Sequence, residues 1–244
     1  FQIPEYTSEV NAFGPLRILE IIRHYKKKKI KFYQASSSEM FGKSKPPQNE
    51  ATLLKPRSIY AISKVFAYHS VIHYREAYNI HACNGILFNH ESPRRGVNFV
   101  TKKIVQGLVR IKKGKQKTLV LGNLYARRDW GHAKDYVESM WKILQNKKAD
   151  DFVIATSTSK SVKEFINLCS KKLNIKLIWK NRGLKEIAID PKTKKTIIKV
   201  DKKYFRETEV DNLSGDSSKA KKILKWKPRY SFDDLVEDMI KNEI

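Results

Sequence analysis

The chain is poor in cysteine, in long apolar runs and in acidic residues. Its two cysteines, Cys83 and Cys169, share no C-x-x-C or metal-ligand spacing, so we expect two buried thiols in a reducing compartment and no metal site. No apolar run reaches the length of a membrane span, and no signal-peptide pattern is present. These absences argue against a disulfide scaffold and a membrane partner, and they favour a cytoplasmic protein.

The scarcity of acidic residues is pronounced. The chain has 25 Asp and Glu against 50 Lys and Arg, which gives a formal net charge of +25. Such a charge raises the possibility of a nucleic-acid-binding protein. The lysines, however, are spread along the chain from Lys26 to Lys221 and form no basic stripe with exposed aromatics. We therefore expect no specific nucleic-acid partner, and polyanion binding stays an alternative that a steep salt dependence of DNA binding would favour.

The 244 residues are enough for one large α/β domain or for a domain with a smaller lobe. Strands and helices alternate over the first 156 residues, which predicts a parallel sheet with covering helices, and the later part reads as a small α/β lobe. Strands are predicted at 30–35, 81–88, 118–121, 152–155 and 175–179, with a hairpin at 186–200. Helices are predicted at 10–25, 60–78, 99–113, 133–145, 161–173, 216–224 and 231–242.

Two of these helices carry specific expectations. In the first, apolar residues at three-residue steps from Val10 to Tyr25 predict a core face. In the last, Ser231 and Asp234 form a Ser-x-x-Asp capping box that marks its start.

Residues 36–64 hold the strongest candidates for chemistry. Tyr60 and Lys64 are four residues apart, which places both on one face of a helix. A lysine ammonium near a phenol favours the phenolate, and a phenolate can act as a general base for an alcohol proton. A lone Tyr-x-x-x-Lys is most often a solvated helix face. Here a hydroxyl-rich stretch ending in Glu39 precedes it, which supplies a second base and donors for a developing oxyanion.

Polar loops follow two of the predicted strands. Ser36 to Glu39 follows the first strand, and the loop 89–98 follows the strand at 81–88. Since ligands bind outside the carboxyl ends of parallel strands, we expect these loops to converge on one cleft. Four arginines are candidates for binding phosphates, or else ordinary members of a basic surface. They are Arg94, Arg95, Arg127 and Arg128.

The Ser-Ser-Ser-Glu and Tyr-x-x-x-Lys arrangement resembles the extended short-chain dehydrogenase/reductase superfamily. Longer strings resemble GDP-mannose 4,6-dehydratases more specifically: 85–96 (GILFNHESPRRG), 98–101 (NFVT), 128–137 (RDWGHAKDYV), 151–156 (DFVIAT) and 208–211 (TEVD). The resemblance runs from Tyr6 to Met239. It implies the C-terminal part of a Rossmann-type doubly wound parallel sheet plus a smaller α/β substrate-binding lobe. The expected NADP-binding part is 1–98 with 125–156, and the expected nucleotide-sugar lobe is 99–124 with 157–244.

The resemblance implies a lyase that uses NADP to convert GDP-mannose to GDP-4-keto-6-deoxymannose, the first step towards GDP-fucose and other deoxyhexoses. Tyr60, aided by Lys64, would take the proton of the sugar 4-hydroxyl as hydride leaves C4 for the nicotinamide. Ser37 would hydrogen-bond the 4-ketone. Glu39 would remove the C5 proton and assist the loss of water, after which hydride returns to C6. A simple reductase or epimerase needs no carboxylate at the position of Glu39.

The resemblance also implies binding roles for individual positions of this chain. Those that match NADP contacts in the family are Tyr6, His90 and Arg95, together with Tyr60 and Lys64. Those that match the nucleotide-sugar site are Asn89, Asn98, Lys103, Arg128, Arg206 and Glu209. Four departures are small: Ser37 for threonine, Phe41 for tyrosine, Ile59 for proline and Lys102 for arginine. A serine keeps the hydroxyl needed at position 37 and loses only the methyl that fixes its rotamer.

One departure is large. The family opens with a Gly-x-x-Gly-x-x-Gly turn beside the cofactor pyrophosphate, and the ten glycines here form no such triplet. Because the chain also starts at Phe1, just before a helix, we expect a C-terminal fragment with an unprotected sheet edge and weakened NADP binding. The full-length family forms homodimers or homotetramers. Open alternatives are another nucleotide-sugar dehydratase or reductase, and a catalytically dead partner subunit.

Overall fold

The computed structural model describes residues 3–25, 30–205, 208 and 210–244, which fall into two compact units. The first unit comprises Phe1–His90, Asp129–Ser159 and Asn212–Arg229. The second unit comprises Glu91–Arg128, Lys160–Asp211 and Tyr230–Ile244. Residues 212–229 belong to the first unit because Trp226 is buried in its core. The indole ring of Trp226 meets Tyr136 edge-on at 6.0 Å, and its Nε1 donates to the Asp135 carbonyl at 2.9 Å.

The secondary structure alternates as the sequence predicts, with boundaries shifted by a few residues. The strands are β1 (Phe32–Ser37), β2 (Ala82–Leu87), β3 (Asn89–Glu91), β4 (Leu119–Leu121), β5 (Arg127–His132), β6 (Asp151–Ile154), β7 (Ser159–Ser161), β8 (Ile178–Lys180), β9 (Ile187–Ile189) and β10 (Thr196–Val200). The helices are α1 (Pro4–Ser8), α2 (Gly14–His24), α3 (Ile59–Tyr78), α4 (Val100–Lys112), α5 (Ala133–Gln145), α6 (Val162–Lys172), α7 (Ser218–Leu224) and α8 (Phe232–Lys241). The short strands β3, β5 and β7 were not predicted.

The sheet of the first unit is parallel, in the order β1-β2-β6, which confirms the predicted fold class. Every residue of the central strand β2 is buried. A strand covered on both faces reads as a nearly continuous apolar run, and Ala82–Leu87 departs from this only at Asn84 and Gly85. β1 stands at the end of the described strand order, so it is an edge strand in this part of the chain.

A charged network crosses this sheet. Arg75 of α3 forms a bidentate pair with Asp151 of β6, with both N···O distances 2.8 Å. Asn84 of β2 donates to the same carboxylate at 2.8 Å and accepts from the Ser36 hydroxyl of β1 at 3.0 Å. A buried carboxylate is tolerated when it is paired and hydrogen-bonded. The network therefore ties all three strands to α3.

The N-terminal helical stretch corrects one prediction. The chain is helical from Pro4 to His24, with a π-helical turn over Glu9–Phe13 between α1 and α2. The three middle residues of the expected face pack in the core around Leu19, but Val10, Phe13 and Tyr25 are 51%, 45% and 48% exposed. A helix turns about 100° per residue, so three-residue steps drift around its surface by about 60° each. A single face needs alternating steps of three and four.

The second unit is built on a four-stranded mixed sheet in the order β4-β10-β9-β8. β10 runs parallel to β4 and antiparallel to β9, and β9 is antiparallel to β8. The predicted hairpin is confirmed as β9 and β10, and Asp190 closes its turn by accepting from the Lys192 amide at 2.7 Å. Helix α4 packs against α6 and α8. The predicted capping box of Ser231 and Asp234 is present at the start of α8.

Cys83 and Cys169 are buried free thiols, as predicted. Burial raises the pKa of both, that of Cys169 to about 12, so neither is a thiolate at neutral pH. Among the described residues, no helix is long and apolar enough to cross a membrane. The same part of the chain contains no group of three His, Cys, Asp or Glu residues arranged to hold a metal ion.

Candidate active site

The end of β1 presents the serines. The strand runs to Ser37, whereas the sequence pattern predicted its end at Ala35. It extends because Ser36 and Ser37 continue the parallel register opposite Ile86 and Leu87 of β2. Ser36 is buried, with its hydroxyl bonded to Asn84, while Ser37 is half-buried. Only Ser37 of these two keeps its hydroxyl proton available to a ligand.

Ser37 also starts the short 3₁₀ helix Ser38–Phe41. Its Oγ accepts a hydrogen bond from the Glu39 amide at 3.2 Å. An oxygen that accepts in this way still has its own O–H to donate. The Glu39 carboxylate is half-buried and forms no hydrogen bond or ion pair with the described residues. The local fold therefore places a hydroxyl donor and an uncommitted carboxylate two residues apart.

Helix α3 brings the phenol and the ammonium to this strand. Ser58 caps the helix by accepting from the Ala61 amide at 3.1 Å. Tyr60 and Lys64 follow on one face, with the Lys64 Nζ 5.7 Å from the centre of the Tyr60 ring. The same ammonium donates to the carbonyl of Ala35 in β1 at 3.0 Å. Lys64 thus links the phenol to the strand that ends in Ser37.

The electrostatics around Lys64 suit a positive field at Tyr60. Burial lowers the pKa of Lys64, and no carboxylate among the described residues pairs with it. Among the described residues, therefore, no anion cancels its charge. The Tyr60 side chain is 40% exposed, so a bound molecule can reach it. A lysine in such a position favours the phenolate form of the tyrosine.

Besides Tyr60 and Lys64, two residues matched to cofactor contacts lie in the first unit, one on α1 and one on β3. Tyr6 lies on α1 and is 65% exposed. The His90 ring stacks on Tyr136 with centroids 4.8 Å apart, and its Nδ1 hydrogen-bonds the Phe88 carbonyl at 2.9 Å. The third, Arg95, lies in the second unit. Its guanidinium pairs with Glu91 at 3.0 Å and lies 3.4 Å from the centre of the Phe99 ring.

The residues matched to the nucleotide-sugar site are more dispersed. Asn89, in the first unit, is half-buried, and its buried Oδ1 has no hydrogen-bond partner in the described part of the chain. In the second unit Asn98 is exposed, and the Lys103 ammonium lies 3.6 Å from the centre of the Tyr204 ring. Arg128 is buried and donates to the Val210 carbonyl at 2.6 Å. Arg206 and Glu209 lie outside the described residues.

The other two candidate arginines, Arg127 and Arg94, differ in their contacts. Arg127 pairs with Glu164 at 3.1 Å, and Arg94 is exposed. Glu91 was not predicted as a site residue, yet it is buried and holds Arg95 in place. Glu91 accepts from the Thr101 hydroxyl at 2.6 Å, and burial raises its pKa. The signal for it was a glutamate four residues before an arginine within a polar loop.

Known proteins match the chain over nearly its whole length. The family model "GDP-mannose 4,6 dehydratase" matches residues 1–239. GDP-mannose 4,6 dehydratases from Dictyostelium discoideum and Drosophila melanogaster are both 50% identical to the chain, all of which is covered. GDP-mannose 4,6 dehydratase 1 from Arabidopsis thaliana is 51% identical over the whole chain. The chain spans 69%, 62% and 64% of the lengths of these relatives, respectively.

Solved structures agree in fold. The structure of RMD from Pseudomonas aeruginosa complexed with NADPH superposes with a TM-score of 0.84 at 19% identity, covering 99% of this chain and 75% of that one. The dTDP-glucose 4,6-dehydratase of Bacillus anthracis in complex with NAD gives 0.79 at 20% identity, covering 99% and 69%. These identities establish the fold alone, which is a Rossmann-type α/β fold. On the family match and the relatives near 50% identity, the chain belongs to the GDP-mannose 4,6 dehydratase family.

Proposed function

We propose that the protein containing this chain dehydrates GDP-mannose to GDP-4-keto-6-deoxymannose, a hydro-lyase reaction on the route to GDP-fucose and other deoxyhexoses. The chain spans about two thirds of its relatives' length, and the proposal concerns the whole protein. The observation that carries the proposal is the group at the end of β1. There Lys64 bridges Tyr60 to the strand that delivers Ser37 and Glu39.

The oxidation half of the reaction needs a base at the sugar 4-hydroxyl. Tyr60 takes that proton, and the neighbouring Lys64 charge favours the phenolate that accepts it. The O–H of Ser37 then donates to the oxygen at C4 as it becomes a ketone. Hydroxyl, phenol and ammonium are three of the four groups that this step requires. The fourth is a hydride acceptor.

NADP fits the residues present at the nicotinamide end, where it would supply reversible hydride transfer. Lys64 has three N–H donors and spends one on Ala35, so two remain for ribose hydroxyls. Tyr60 would lie beside the nicotinamide, and the exposed Tyr6 and the stacked His90 would line the same cofactor. The solved relative that holds NADPH supports this choice of cofactor.

The elimination half needs a carboxylate. A ketone at C4 acidifies the proton on C5, and Glu39 removes it because its carboxylate has no competing partner in the described chain. The protonated Glu39 then donates to the departing 6-hydroxyl, which leaves as water. A reductase or epimerase of the same superfamily has no need of this second base. Glu39 is therefore the residue that favours dehydration over those alternatives.

Each of the two units is proposed to bind a different ligand. We assign NADP binding to the first unit and nucleotide-sugar binding to the second, whose candidate ligands are Asn98, Lys103, Arg128, Arg206 and Glu209. The protein would act in the cytoplasm as a homodimer or homotetramer. Neither a membrane nor a specific nucleic acid is part of the proposal.

The experiment is product analysis. The purified protein, expressed from its complete gene, is incubated with GDP-mannose and NADP, and the nucleotide-sugar is examined by mass spectrometry. We expect a product lighter by one water, and the Glu39→Gln variant should oxidise C4 without losing water. A product that retains all its oxygen would mean a reductase or epimerase. Binding of GDP-mannose and NADP without any turnover would mean a catalytically dead partner subunit.

A further inference from the structure

The second unit contains a pocket that shares no residue with the proposed catalytic group. Its volume is about 510 Å³, within the range of pockets that hold small molecules. It is lined by Tyr125, Lys163, Trp179, Asn181 and Arg182. Trp179 and Asn181 lie on and just after the edge strand β8, and Lys163 lies in the first turn of α6. Nothing in the proposed dehydration uses these side chains.

Interlocking contacts hold the walls of this pocket. The Lys163 ammonium lies 4.4 Å from the centre of the Trp179 ring and 5.6 Å from that of Tyr125. It pairs at 2.7 Å with Glu186, which is 1% exposed and also accepts from the Tyr125 hydroxyl at 3.1 Å. The indole N–H of Trp179 donates to Asn167 at 2.9 Å. Both rings are thereby fixed before any ligand binds.

The position of the Lys163 ammonium near both aromatic rings limits the charge of a ligand that this pocket can bind. Two aromatic faces with a carboxylate behind them would suit a ligand cation, but Lys163 already fills that position. A second cation would have to displace the Lys163 ammonium from both rings and from the Glu186 carboxylate. At the rim, the exposed guanidinium of Arg182 has no acidic partner among the described residues. An anionic ligand is favoured, since a guanidinium fork matches the geometry of phosphate oxygens.

The remaining groups specify the rest of the ligand. The Trp179 ring is half-buried and Tyr125 is 50% exposed, so each offers surface on which a flat ring can stack. Asn181 donates its amide to the Lys185 carbonyl at 3.2 Å, which leaves its Oδ1 to accept from a ligand N–H. A flat ring with N–H donors and an attached phosphate is a nucleotide.

We propose that this pocket is a nucleotide site separate from the catalytic group. The base stacks on Trp179, an N–H of the base donates to Asn181, and the phosphate pairs with Arg182. The assignment does not depend on the proposed dehydration, because it concerns binding to side chains that the reaction leaves unused.

The test is a fluorescence titration that reads Trp179. Trp130 and Trp226 are buried, whereas Trp141 is 64% exposed and would add background, so the Trp141→Phe variant is the starting protein. GMP, AMP and inorganic phosphate are added separately. We expect saturable quenching by either nucleotide and little change with phosphate alone. Equal quenching by phosphate would mean that only nonspecific electrostatic binding occurs, and it would overturn the proposal. The absence of quenching by the nucleotides would overturn it as well.

Substitutions then locate the binding. In the Trp141→Phe background, Arg182→Ala should weaken nucleotide binding by about tenfold or more through loss of a charge-assisted contact. Lys176→Ala removes an exposed charge in the same unit and is the matched control. Lys103→Ala removes a candidate contact of the nucleotide-sugar site. If Lys103→Ala weakens binding and Arg182→Ala does not, the nucleotide occupies the substrate site and the proposal fails, whatever the outcome of the dehydration assay.

Discussion

Lys64 in the first unit and Lys163 in the second are both partly buried lysines beside an aromatic ring, yet their surroundings differ. The Lys64 ammonium contacts a backbone carbonyl and a tyrosine ring, with no carboxylate among the described neighbours. The Lys163 ammonium is neutralised by the buried Glu186 and lies near two rings. Burial lowers the pKa of Lys64. The positive charge of Lys64 can therefore act on Tyr60. The charge of Lys163 is balanced by Glu186, and its contacts help to hold two aromatic rings in place.

The largest expected effect separates the two lysines by activity. Lys64→Gln should lower the turnover of GDP-mannose by about 10²–10⁴-fold, because the charge that favours the Tyr60 phenolate is lost. Lys163→Gln should leave turnover nearly unchanged. Steady-state kinetics of both variants, with circular dichroism to check folding, provide the measurement. An equal loss in the two variants would show that the distinction between paired and unpaired lysines has no functional meaning.

The next effect concerns what a carboxylate partner contributes to stability. Arg75→Leu leaves the buried Asp151 unpaired and should lower the free energy of unfolding by about 3–5 kcal/mol. The matched control is Arg17→Leu, whose exposed pair with Glu9 should contribute less than about 1 kcal/mol. Urea denaturation followed by fluorescence measures both. Similar losses of unfolding free energy in the two variants would contradict the expectation that a buried ion pair contributes more to stability than an exposed one.

A smaller effect tests the coupling of Lys163 to its partner. Glu186→Gln should destabilise the protein by about 1.5–3 kcal/mol, the usual contribution of a hydrogen bond to a charged group. The double variant with Lys163→Met should cost less than the sum of the single changes, with a coupling energy of about 0.5–3 kcal/mol. A double-mutant cycle in urea gives this number. Additive costs would mean that the pair does not act as a unit.

The smallest effect is a pH dependence. The pKa of Lys64 in the folded protein lies below its ordinary value of 10.5. At pH values between the folded-state pKa and 10.5, the unfolded chain therefore binds more protons than the folded chain. The contribution of Lys64 to stability should therefore rise with pH across this window, relative to Lys64→Met. Lys199→Met, which removes an exposed lysine, is the control and should show no such trend. Parallel curves for the wild-type protein and Lys64→Met would rule out the lowered pKa.

Local sequence signals predicted much of the fold. Helix α5 was predicted with both its ends, and α3 with an error of one residue, because apolar periodicity and the turns around them are local. The capping box at Ser231 and the hairpin β9–β10 were predicted for the same reason. The helical spacing of Tyr60 and Lys64 likewise follows from their positions in the chain. The strand ending at Ser37 was predicted too short, since its last pairs depend on register with β2.

The sequence by itself determined the family, the alternation of strands and helices, and the residue types available for chemistry. Only the tertiary structure decided which charges are cancelled. Arg75 meets Asp151 across 76 positions, Lys163 meets Glu186 across 23, and Lys64 meets the Ala35 carbonyl across 29. Such partners are set by strand register and helix packing rather than by neighbours in the chain. For this reason the pattern could name Lys64 as a candidate, while the fold alone showed that no carboxylate among the described residues neutralises it.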